Sequence, residues 1–332
     1  MIGEIAPQLI HVNSGGVALV GDVWAPIGES RGSVLLLHGG GQRRFSWHRT
    51  GERLAHNGWT AYAFDARGHG ESGRAVGGDY SVSALVGDLM AIVQMIGERP
   101  ILVGASVGGM TSLIAVGEQS PVARGLVLVD IAARIEAEGA ERIQRFMEGA
   151  PEGFATLEEA SDAIAAYNPH RPRPNSLEGL RKNLVQGDDT RWRWHWDPRF
   201  LDDGSEPTRE IRYRRACAAA RNVTIPTLLI RGAHSDLVSE AGLREMRQLI
   251  PHARSVEVRA AGHMIAGDDN DVFTAELIDF MQSTIPAEHG AVNHVTGSRH
   301  DEVVESTDPD QLGPAAAKRN MLAKVRDLTE ES

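Results

Sequence analysis

Ser106 stands in the sequence Gly104-Ala105-Ser106-Val107-Gly108, directly after a short apolar run that begins at Pro100. A serine between small residues at the end of a strand can sit on a tight strand-to-helix turn, where its hydroxyl projects away from the sheet. Backbone strain of this kind is concentrated at sites that do chemistry. The spacing therefore predicts a nucleophile, which requires a general base, a carboxylate and a site for a developing oxyanion.

His263 is the histidine best placed to serve as the base, because it lies in Ala261-Gly262-His263-Met264 just past the last strand-like run. The preferred carboxylate to orient it is Asp236, in the loop after the buried run 225–230. Asp130, at the end of the run Gly125–Val129, is the alternative acid. A structural role as a helix cap would also explain Asp130, since aspartate is common at helix starts.

Two backbone amides are candidates for holding the oxyanion. One belongs to Val107, the residue after the predicted nucleophile. The other belongs to Gly40 in His38-Gly39-Gly40-Gly41, which follows the buried run Ser33–Leu37. Three consecutive glycines are also what a tight turn requires, and both interpretations can hold together because small residues let amides approach a substrate.

The elements that must position these residues alternate between strands and helices. Gln8–Val12 and Val17–Trp24 are joined by a turn cluster and predict an edge hairpin. The later apolar runs are continuous, which is typical of parallel strands covered on both faces. Helical spacing separates them, for example over Ser81–Ile96. The sequence therefore predicts an α/β protein with a doubly wound, mostly parallel, eight-stranded sheet.

Three regions differ in composition. Residues 1–130 and 223–285 carry the strand and helix runs and predict the core, whereas residues 131–222 are rich in Ala, Arg and Glu and predict a helical insertion over the sheet. Residues 286–332 are polar and contain no aromatic residue, which predicts a flexible tail. Within the tail, apolar residues at helical spacing over 315–328 favour a short helix that can dock on the core or form a homodimer.

Trp192, Trp194 and Trp196 alternate with polar residues in the insertion, with His195 between the last two. On an extended segment the three tryptophans face the same way, and packing of the insertion on the core accounts for them. The alternative is that these four residues, together with Gly41, line an apolar substrate pocket. Arg43 and Arg44, beyond the glycines, are predicted to be solvated at a helix start, with recognition of a substrate carboxylate as the alternative.

The composition of the chain limits the partners and the cellular compartment that we expect. The chain has 34 basic and 45 acidic residues and a net charge of −11, which argues against nucleic acid or an anionic membrane as a partner. A single cysteine, Cys217, excludes an intrachain disulfide, and no thiolate metal site is expected. No secretion signal or membrane-spanning run is apparent. These features predict a cytoplasmic protein without a metal or other cofactor.

Taken in chain order, the motifs resemble the α/β-hydrolase fold family over residues 8–284. They are His38-Gly39-Gly40-Gly41, Asp65-Ala66-Arg67-Gly68-His69-Gly70-Glu71-Ser72, Gly104-Ala105-Ser106-Val107-Gly108-Gly109, Asp236 and His263. The resembled branch contains haloperoxidases, epoxide hydrolases and 3-oxoadipate enol-lactonases. The resemblance implies a Ser-Asp-His triad, a helical cap between the sixth and seventh strands, and a structural role for residues 65–72.

The type of nucleophile narrows the expected reaction. Family members that hydrolyse epoxides or haloalkanes use an aspartate, whereas this chain has Ser106, which implies acyl transfer to and from a mostly apolar ester or lactone. The same triad also serves carbon-carbon bond hydrolysis and perhydrolysis, and the sequence does not separate them. A ligand receptor that retains a slow hydrolase site is the alternative from another class.

Overall fold

The computed structural model describes residues 5–119, 121–167, 177–201, 208–258 and 271–286, and one sheet of eight strands runs through them. A separate pair of short strands lies in the inserted region. The strands are β1 (Gln8–Ser14), β2 (Val17–Trp24), β3 (Ser33–Leu37), β4 (Thr60–Phe64), β5 (Ile101–Ala105), β6 (Gly125–Val129), β7 (Leu184–Gln186), β8 (Trp192–Trp194), β9 (Thr227–Gly232) and β10 (Arg254–Val258).

The large sheet has the order β1-β2-β4-β3-β5-β6-β9-β10. The pairs β1–β2 and β2–β4 are antiparallel, and every other neighbouring pair is parallel. The prediction of a mostly parallel, eight-stranded sheet is therefore confirmed. Because β3, β5, β6 and β9 are parallel neighbours, their carboxyl ends lie at the same edge of the sheet.

Helices cover both faces of this sheet. Those described are α1 (His48–His56), α2 (Val82–Ile96), α3 (Val107–Glu118), α4 (Ala137–Glu148), α5 (Leu157–Tyr167), α6 (Glu178–Arg181), α7 (Arg209–Arg221), α8 (Glu240–Leu249) and α9 (Asp271–Thr284). Short 3-10 turns occupy Arg44–Trp47 and Pro198–Phe200. Helices α1 and α9 pack on one face, and α2, α3, α7 and α8 pack on the other.

The double cover explains why the central strands are apolar without alternation. In β5, Leu102 faces the α2–α3 side, while Ile101 and Val103 face the α1–α9 side, and all three are fully buried. Successive side chains of a strand point to opposite faces, so a strand between two helical layers buries every residue. Such a strand provides a rigid support for whatever follows its last residue.

The chain between β6 and β9 contains α4 to α7 and the small hairpin β7–β8, which the sequence pattern does not predict. Helix α7 packs against α3 so closely that a β-carbon on Gly117 would overlap the backbone of Ala219. It therefore belongs to the core layer, although it falls within residues 131–222. The segment from α4 to Phe200, called the cap below, has a small apolar cluster of its own around Phe154 and Leu180.

The predicted tail is largely outside the description of the structure, because only Pro286 of residues 286–332 belongs to the described ranges. The helix expected over 315–328 also lies outside them. None of the helices in the described ranges is both long enough and apolar enough to cross a membrane.

Candidate active site

Ser106 lies between the last residue of β5 and the first residue of α3, and its backbone is in the left-handed region with φ 48° and ψ −115°. Two glycines make this turn possible. A β-carbon on Gly104 would overlap the Gly108 carbonyl oxygen, and one on Gly108 would lie 2.5 Å from the Leu37 carbonyl oxygen. The turn therefore requires glycine at both positions, as a serine on a tight strand-to-helix turn should.

A backbone hydrogen bond at this turn links the carboxyl ends of β5 and β6. The Ser106 amide donates to the Val129 carbonyl at 3.0 Å, and Ala105 pairs with Val129 in the sheet. The next residue on each strand is therefore Ser106 on β5 and Asp130 on β6, side by side. Asp130 shares the unusual backbone of Ser106, with φ 48°, and its amide donates to Ile230 at 2.7 Å.

The Asp130 carboxylate is fixed and only 1% exposed. Its Oδ1 accepts the Gly232 amide at 3.0 Å, its Oδ2 accepts the Ser235 hydroxyl at 2.6 Å, and the residue makes further polar interaction. The nearest helix start is at Glu136, the residue that precedes α4, so Asp130 does not cap a helix. A buried carboxylate with defined donors has the properties of a group that orients a catalytic histidine.

Asp236 has a different environment. Its Oδ2 pairs with Arg142 Nη2 of α4 at 2.7 Å, and its side chain is 29% exposed. Its Oδ1 is buried and accepts no hydrogen bond within the described part of the chain. Helix α4 also meets the backbone here, since a β-carbon on Gly139 would overlap the Asp236 carbonyl oxygen. Asp236 thus anchors the first helix of the cap.

His263 falls within residues 259–270, outside the described residues, so its role as general base stays a prediction. The strand that leads to it is described. Val258, the last residue of β10, pairs with Gly232, and the Ala233 amide donates to the Val258 carbonyl at 3.0 Å. The chain therefore leaves the sheet beside the residue whose amide binds Asp130.

Residues His38–Gln42, called the oxyanion loop below, follow β3 and run beside the nucleophile. Two of the three glycine amides have protein acceptors: Gly39 donates to Gln42 Oε1 at 2.9 Å and Gly41 donates to His69 Nε2 at 3.2 Å. The Gly40 amide has no acceptor among the residues that the structure describes. It is thus the amide of this loop that remains available to a ligand, as its predicted role requires.

The second predicted donor is the Val107 amide at the first position of α3. The first intrahelical hydrogen bond of α3 runs from the Met110 amide to the Ser106 carbonyl at 2.9 Å. Amides in the first turn of a helix lack an intrahelical acceptor. The Gly39 side of the oxyanion loop is close to this turn, because a β-carbon on Gly39 would lie 3.3 Å from Ser106 Cβ.

Three buried histidines, one in the oxyanion loop and two beside it, accept hydrogen bonds from backbone amides. His38 Nε2 accepts the Ala66 amide at 2.9 Å, His69 Nε2 accepts Gly41, and His195 Nδ1 of the cap accepts the Gly70 amide at 2.9 Å. Burial lowers the pKa of all three, to about 3 for His69 and about 2 for His195. Each imidazole is therefore neutral and serves as a hydrogen-bond acceptor for a backbone amide.

This cluster predicts a loss of stability in mild acid. An unfolded histidine binds a proton near pH 6.5, whereas the folded pKa of His69 is about 3, so unfolding takes up protons below pH 6.5. The stabilisation is complete above pH 6.5 and is lost as the pH falls toward the folded values. Each such histidine should reduce the free energy of unfolding by about 1.4 kcal/mol per pH unit.

Denaturant unfolding between about pH 5.5 and 4.5 measures that slope, because the unfolded histidine is almost fully protonated there while the folded His69 is still neutral. His69→Gln keeps an oxygen acceptor for the Gly41 amide and removes one titrating group, so its slope should be smaller by about 1.4 kcal/mol per pH unit. A free energy of unfolding that does not change over this range in the unmodified protein would contradict the prediction.

The segment Asp65–Ser72 is structural, as the family resemblance implies. Asp65 is 1% exposed and accepts the amides of Arg44 at 2.7 Å and Glu71 at 2.9 Å. The guanidinium of Arg44 pairs with Asp65, Glu71 and Asp22. The prediction that Arg44 is solvated is therefore wrong, because three carboxylates, one from β2 and two from the loop after β4, surround its guanidinium and the residue is buried.

The cap tryptophans differ in what they contact. Trp196 is buried and stacks on Trp194 with ring centroids 4.8 Å apart and an interplanar angle of 10°. A β-carbon on Gly41 would lie 3.4 Å from the Trp196 ring, and the φ of 72° at Gly41 itself favours glycine. Trp192 instead packs within the cap beneath the guanidinium of Arg181, 5.4 Å away. Trp196 is thus the tryptophan that reaches the oxyanion loop.

Two further residues near this loop carry no signal in the sequence. Met147, near the end of α4, and Phe200, at the end of the cap, both face the oxyanion glycines. They stand far from any motif, and a methionine or phenylalanine in a helix has no pattern that predicts such a contact. Within the described ranges, no group of three or more His, Cys, Asp or Glu side chains could hold a metal ion.

Comparison with known proteins identifies relatives of this chain. A model of the alpha/beta hydrolase fold family matches residues 32–269. The chain is 26% identical over 272 residues to an esterase of Mycobacterium tuberculosis, covering 79% of this chain and 85% of the relative. It is 24% identical over 235 residues to a 2-(acetamidomethylene)succinate hydrolase of Mesorhizobium japonicum, covering 68% and 79%.

Solved structures share the fold. The crystal structure of an E-2-(acetamidomethylene)succinate hydrolase matches with a TM-score of 0.71 and 22% identity, over 83% of this chain and 99% of that chain. A structure of the M. tuberculosis esterase matches with a TM-score of 0.66 and 22% identity, over 85% and 94%. These matches show that the chain shares the fold of these proteins.

Proposed function

As a member of the α/β-hydrolase family this chain is a hydrolase, and we propose that it cleaves a carboxylic ester or lactone through an acyl-enzyme formed on Ser106. The observation that carries the proposal is the pair of available amides, Gly40 and Val107, on the two sides of the strained turn at Ser106. Preformed donors of this kind stabilise the negative charge that develops on a carbonyl oxygen.

In the proposed reaction His263 takes the proton of the Ser106 hydroxyl as the oxygen attacks the carbonyl carbon. The tetrahedral intermediate places its oxyanion on the Gly40 and Val107 amides. His263 then returns the proton to the leaving alcohol, and water releases the acyl group by the same steps in reverse.

We propose that Asp130 is the carboxylate that orients His263 in the triad, with Asp236 as the alternative. Asp130 is supported by its burial, its two hydrogen-bond donors and its position beside Ser106 at the end of β6. Asp236 is already paired with Arg142, and a carboxylate beside a guanidinium stabilises an imidazolium less than a carboxylate without a cationic partner does. The buried Oδ1 of Asp236 accepts no hydrogen bond within the described part of the chain, so Asp236 is the alternative acid to be tested.

For the substrate we propose that Gly41, His195, Trp194 and Trp196 belong to the apolar wall of the site. Trp196 contacts the oxyanion loop, Trp194 stacks behind it, and His195 links the cap to Gly70. Trp192, which packs inside the cap, is assigned a structural role. A mostly apolar ester fits this wall because aromatic rings contribute large buried areas.

Labelling with a small fluorophosphonate tests the proposal. The full chain should gain the mass of one adduct, the adduct should lie on the peptide that contains Ser106, and labelling should abolish turnover of p-nitrophenyl acetate. An adduct on another serine, or turnover that survives complete labelling, would remove Ser106 from the nucleophile's role.

A further inference from the structure

Three apolar side chains of the cap, Met147, Trp196 and Phe200, form what we call the ceiling over the oxyanion loop. A β-carbon on Gly40 would lie 3.4 Å from Phe200 Cε1 and 3.7 Å from Met147 Sδ. One on Gly41 would lie 3.4 Å from both Met147 Cε and the Trp196 ring. These are van der Waals distances for an added β-carbon, so the space between the ceiling and the two glycines is about one methyl group deep in that direction.

Buried polar contacts hold the second half of the ceiling. The Asp197 amide donates to the Gly68 carbonyl at 2.7 Å, and its carboxylate accepts the Tyr80 hydroxyl at 2.6 Å. Asp197 is 2% exposed, so these bonds are shielded from water. The Phe200 ring meets the His69 ring edge-on, with centroids 4.6 Å apart. The segment is therefore part of the packed interior and differs from a loose surface loop.

The first half of the ceiling is held by α4. Met147 is 6% exposed and lies near the end of α4. The first half of α4 contacts the core through the Arg142–Asp236 ion pair and through the close approach of Gly139 to the Asp236 backbone. Both halves thus have fixed attachments to the core. Packed side chains with fixed attachments limit what fits beneath them, because interiors are close to crystal density.

The topology assigns one part of the substrate to the space under the ceiling. In the sheet, β3 lies on one side of β5 and β6 lies on the other. The oxyanion loop and the ceiling stand at the β3 side of Ser106, whereas the proposed acid Asp130 stands at the β6 side. The base that Asp130 orients must reach the leaving alcohol, so the alcohol departs toward β6. The β3 side, with the oxyanion loop and the ceiling, is then the side left for the acyl group.

We propose that the ceiling leaves room only for a short acyl group, so that the substrates are short-acyl esters. The inference rests on the proposed serine hydrolase function and names its substrate class. An acyl chain bound with its carbonyl on the Gly40 amide runs under Met147 and Phe200, where longer chains overlap these side chains. The alcohol side is not restricted by the ceiling.

The test is a series of p-nitrophenyl acetate, butyrate and octanoate with the full chain. The unmodified protein should prefer acetate over octanoate by at least about 100-fold in kcat/KM. Met147→Ala and Phe200→Ala should each raise the octanoate-to-acetate ratio by at least about tenfold. Met95→Ala is the matched control, since Met95 is 40% exposed at the far end of α2, and it should leave the ratio unchanged.

The outcomes separate the two proposals. If octanoate and acetate react equally well in the unmodified protein, or if neither alanine variant changes the ratio, the ceiling proposal is overturned while the serine hydrolase assignment stands. If no ester reacts and no fluorophosphonate labels Ser106, the proposed function itself fails. Should an alanine variant not fold, labelling rates of the unmodified protein with methyl and dodecyl fluorophosphonates decide, because the dodecyl probe should react at least about tenfold more slowly.

Discussion

Ser106→Ala should reduce kcat for p-nitrophenyl acetate by at least about 10⁴-fold and abolish fluorophosphonate labelling. The substitution removes the attacking oxygen and leaves the Gly40 and Val107 amides in place, so KM should change little. Steady-state kinetics and intact-mass analysis of the same preparation measure both effects. This is the largest loss that we expect from a single substitution in the chain.

The fold should survive this substitution. The Ser106 side chain makes no capping hydrogen bond to α3, and alanine keeps the β-carbon at a backbone position that Gly104 and Gly108 enforce. Ser112→Ala is a suitable control, because Ser112 is a buried serine of the same helix whose hydroxyl donates to the Gly108 carbonyl at 2.8 Å. Retained turnover in Ser106→Ala would show that another residue is the nucleophile.

Asp130→Asn should lower kcat by about 10⁴-fold, because an amide cannot stabilise the imidazolium that forms during the reaction. The size of the side chain is unchanged, and the loss should therefore appear with a folded protein. Asp236→Asn should cost less than about tenfold if Asp130 is the acid, since the Asp236 carboxylate is then needed only for its ion pair with Arg142 of α4. Kinetics of the two variants, with thermal unfolding as the check on folding, distinguish the acids.

The reverse pattern of losses in kcat would identify Asp236 as the catalytic acid. A large loss in Asp236→Asn with a small loss in Asp130→Asn would mean that the buried Oδ1 of Asp236 accepts from the catalytic histidine. Arg142→Met provides a second comparison, because it removes the cation and keeps the carboxylate. If Asp236 only anchors the cap, Arg142→Met and Asp236→Asn should have similar small effects on turnover.

The features of the site that are local in sequence could be predicted from the sequence. A strained serine needs small neighbours within four residues, and Gly104 and Gly108 provide them. The position of Gly40 after a buried strand is equally local. The central strands of the sheet could be predicted for the same reason, since a strand covered on both faces is a continuous apolar run. The hairpin β1–β2 could be predicted from the turn residues between its strands.

The choice of acid depends on contacts between distant parts of the chain. Asp236 stands in a loop after a buried strand, which makes it the natural choice in the sequence. Arg142, which pairs with it, belongs to the cap, and Ser235, which holds Asp130, lies in the loop after another strand. Arg44 illustrates the same limit, because its burial depends on acids from β2 and from the loop after β4.

The elements of the cap could be predicted only in part. Helices α4 and α5 have amphipathic spacing, whereas the strands of the hairpin β7–β8 have three residues each and are too short for a periodic pattern to appear. The Ala-rich α7 buries its small residues against α3. Nothing in its own sequence distinguishes packing on the core from membership of the cap.

The position of the cap in the chain also affects how the sheet is completed. Strands β1 to β6 of the large sheet precede the cap, and β9 and β10 follow it. During synthesis, the edge of β6 that pairs with β9 therefore has no partner strand until residues 130–226 have been made. At about 5–20 residues per second, those 97 residues take on the order of ten seconds.

During that time the apolar β6 is an unpaired edge, and such an edge is a template for pairing with another chain. β9, the first strand of the large sheet after the cap, therefore removes this unpaired edge when it pairs with β6. The length of the cap thus sets how long the sheet stays incomplete during synthesis.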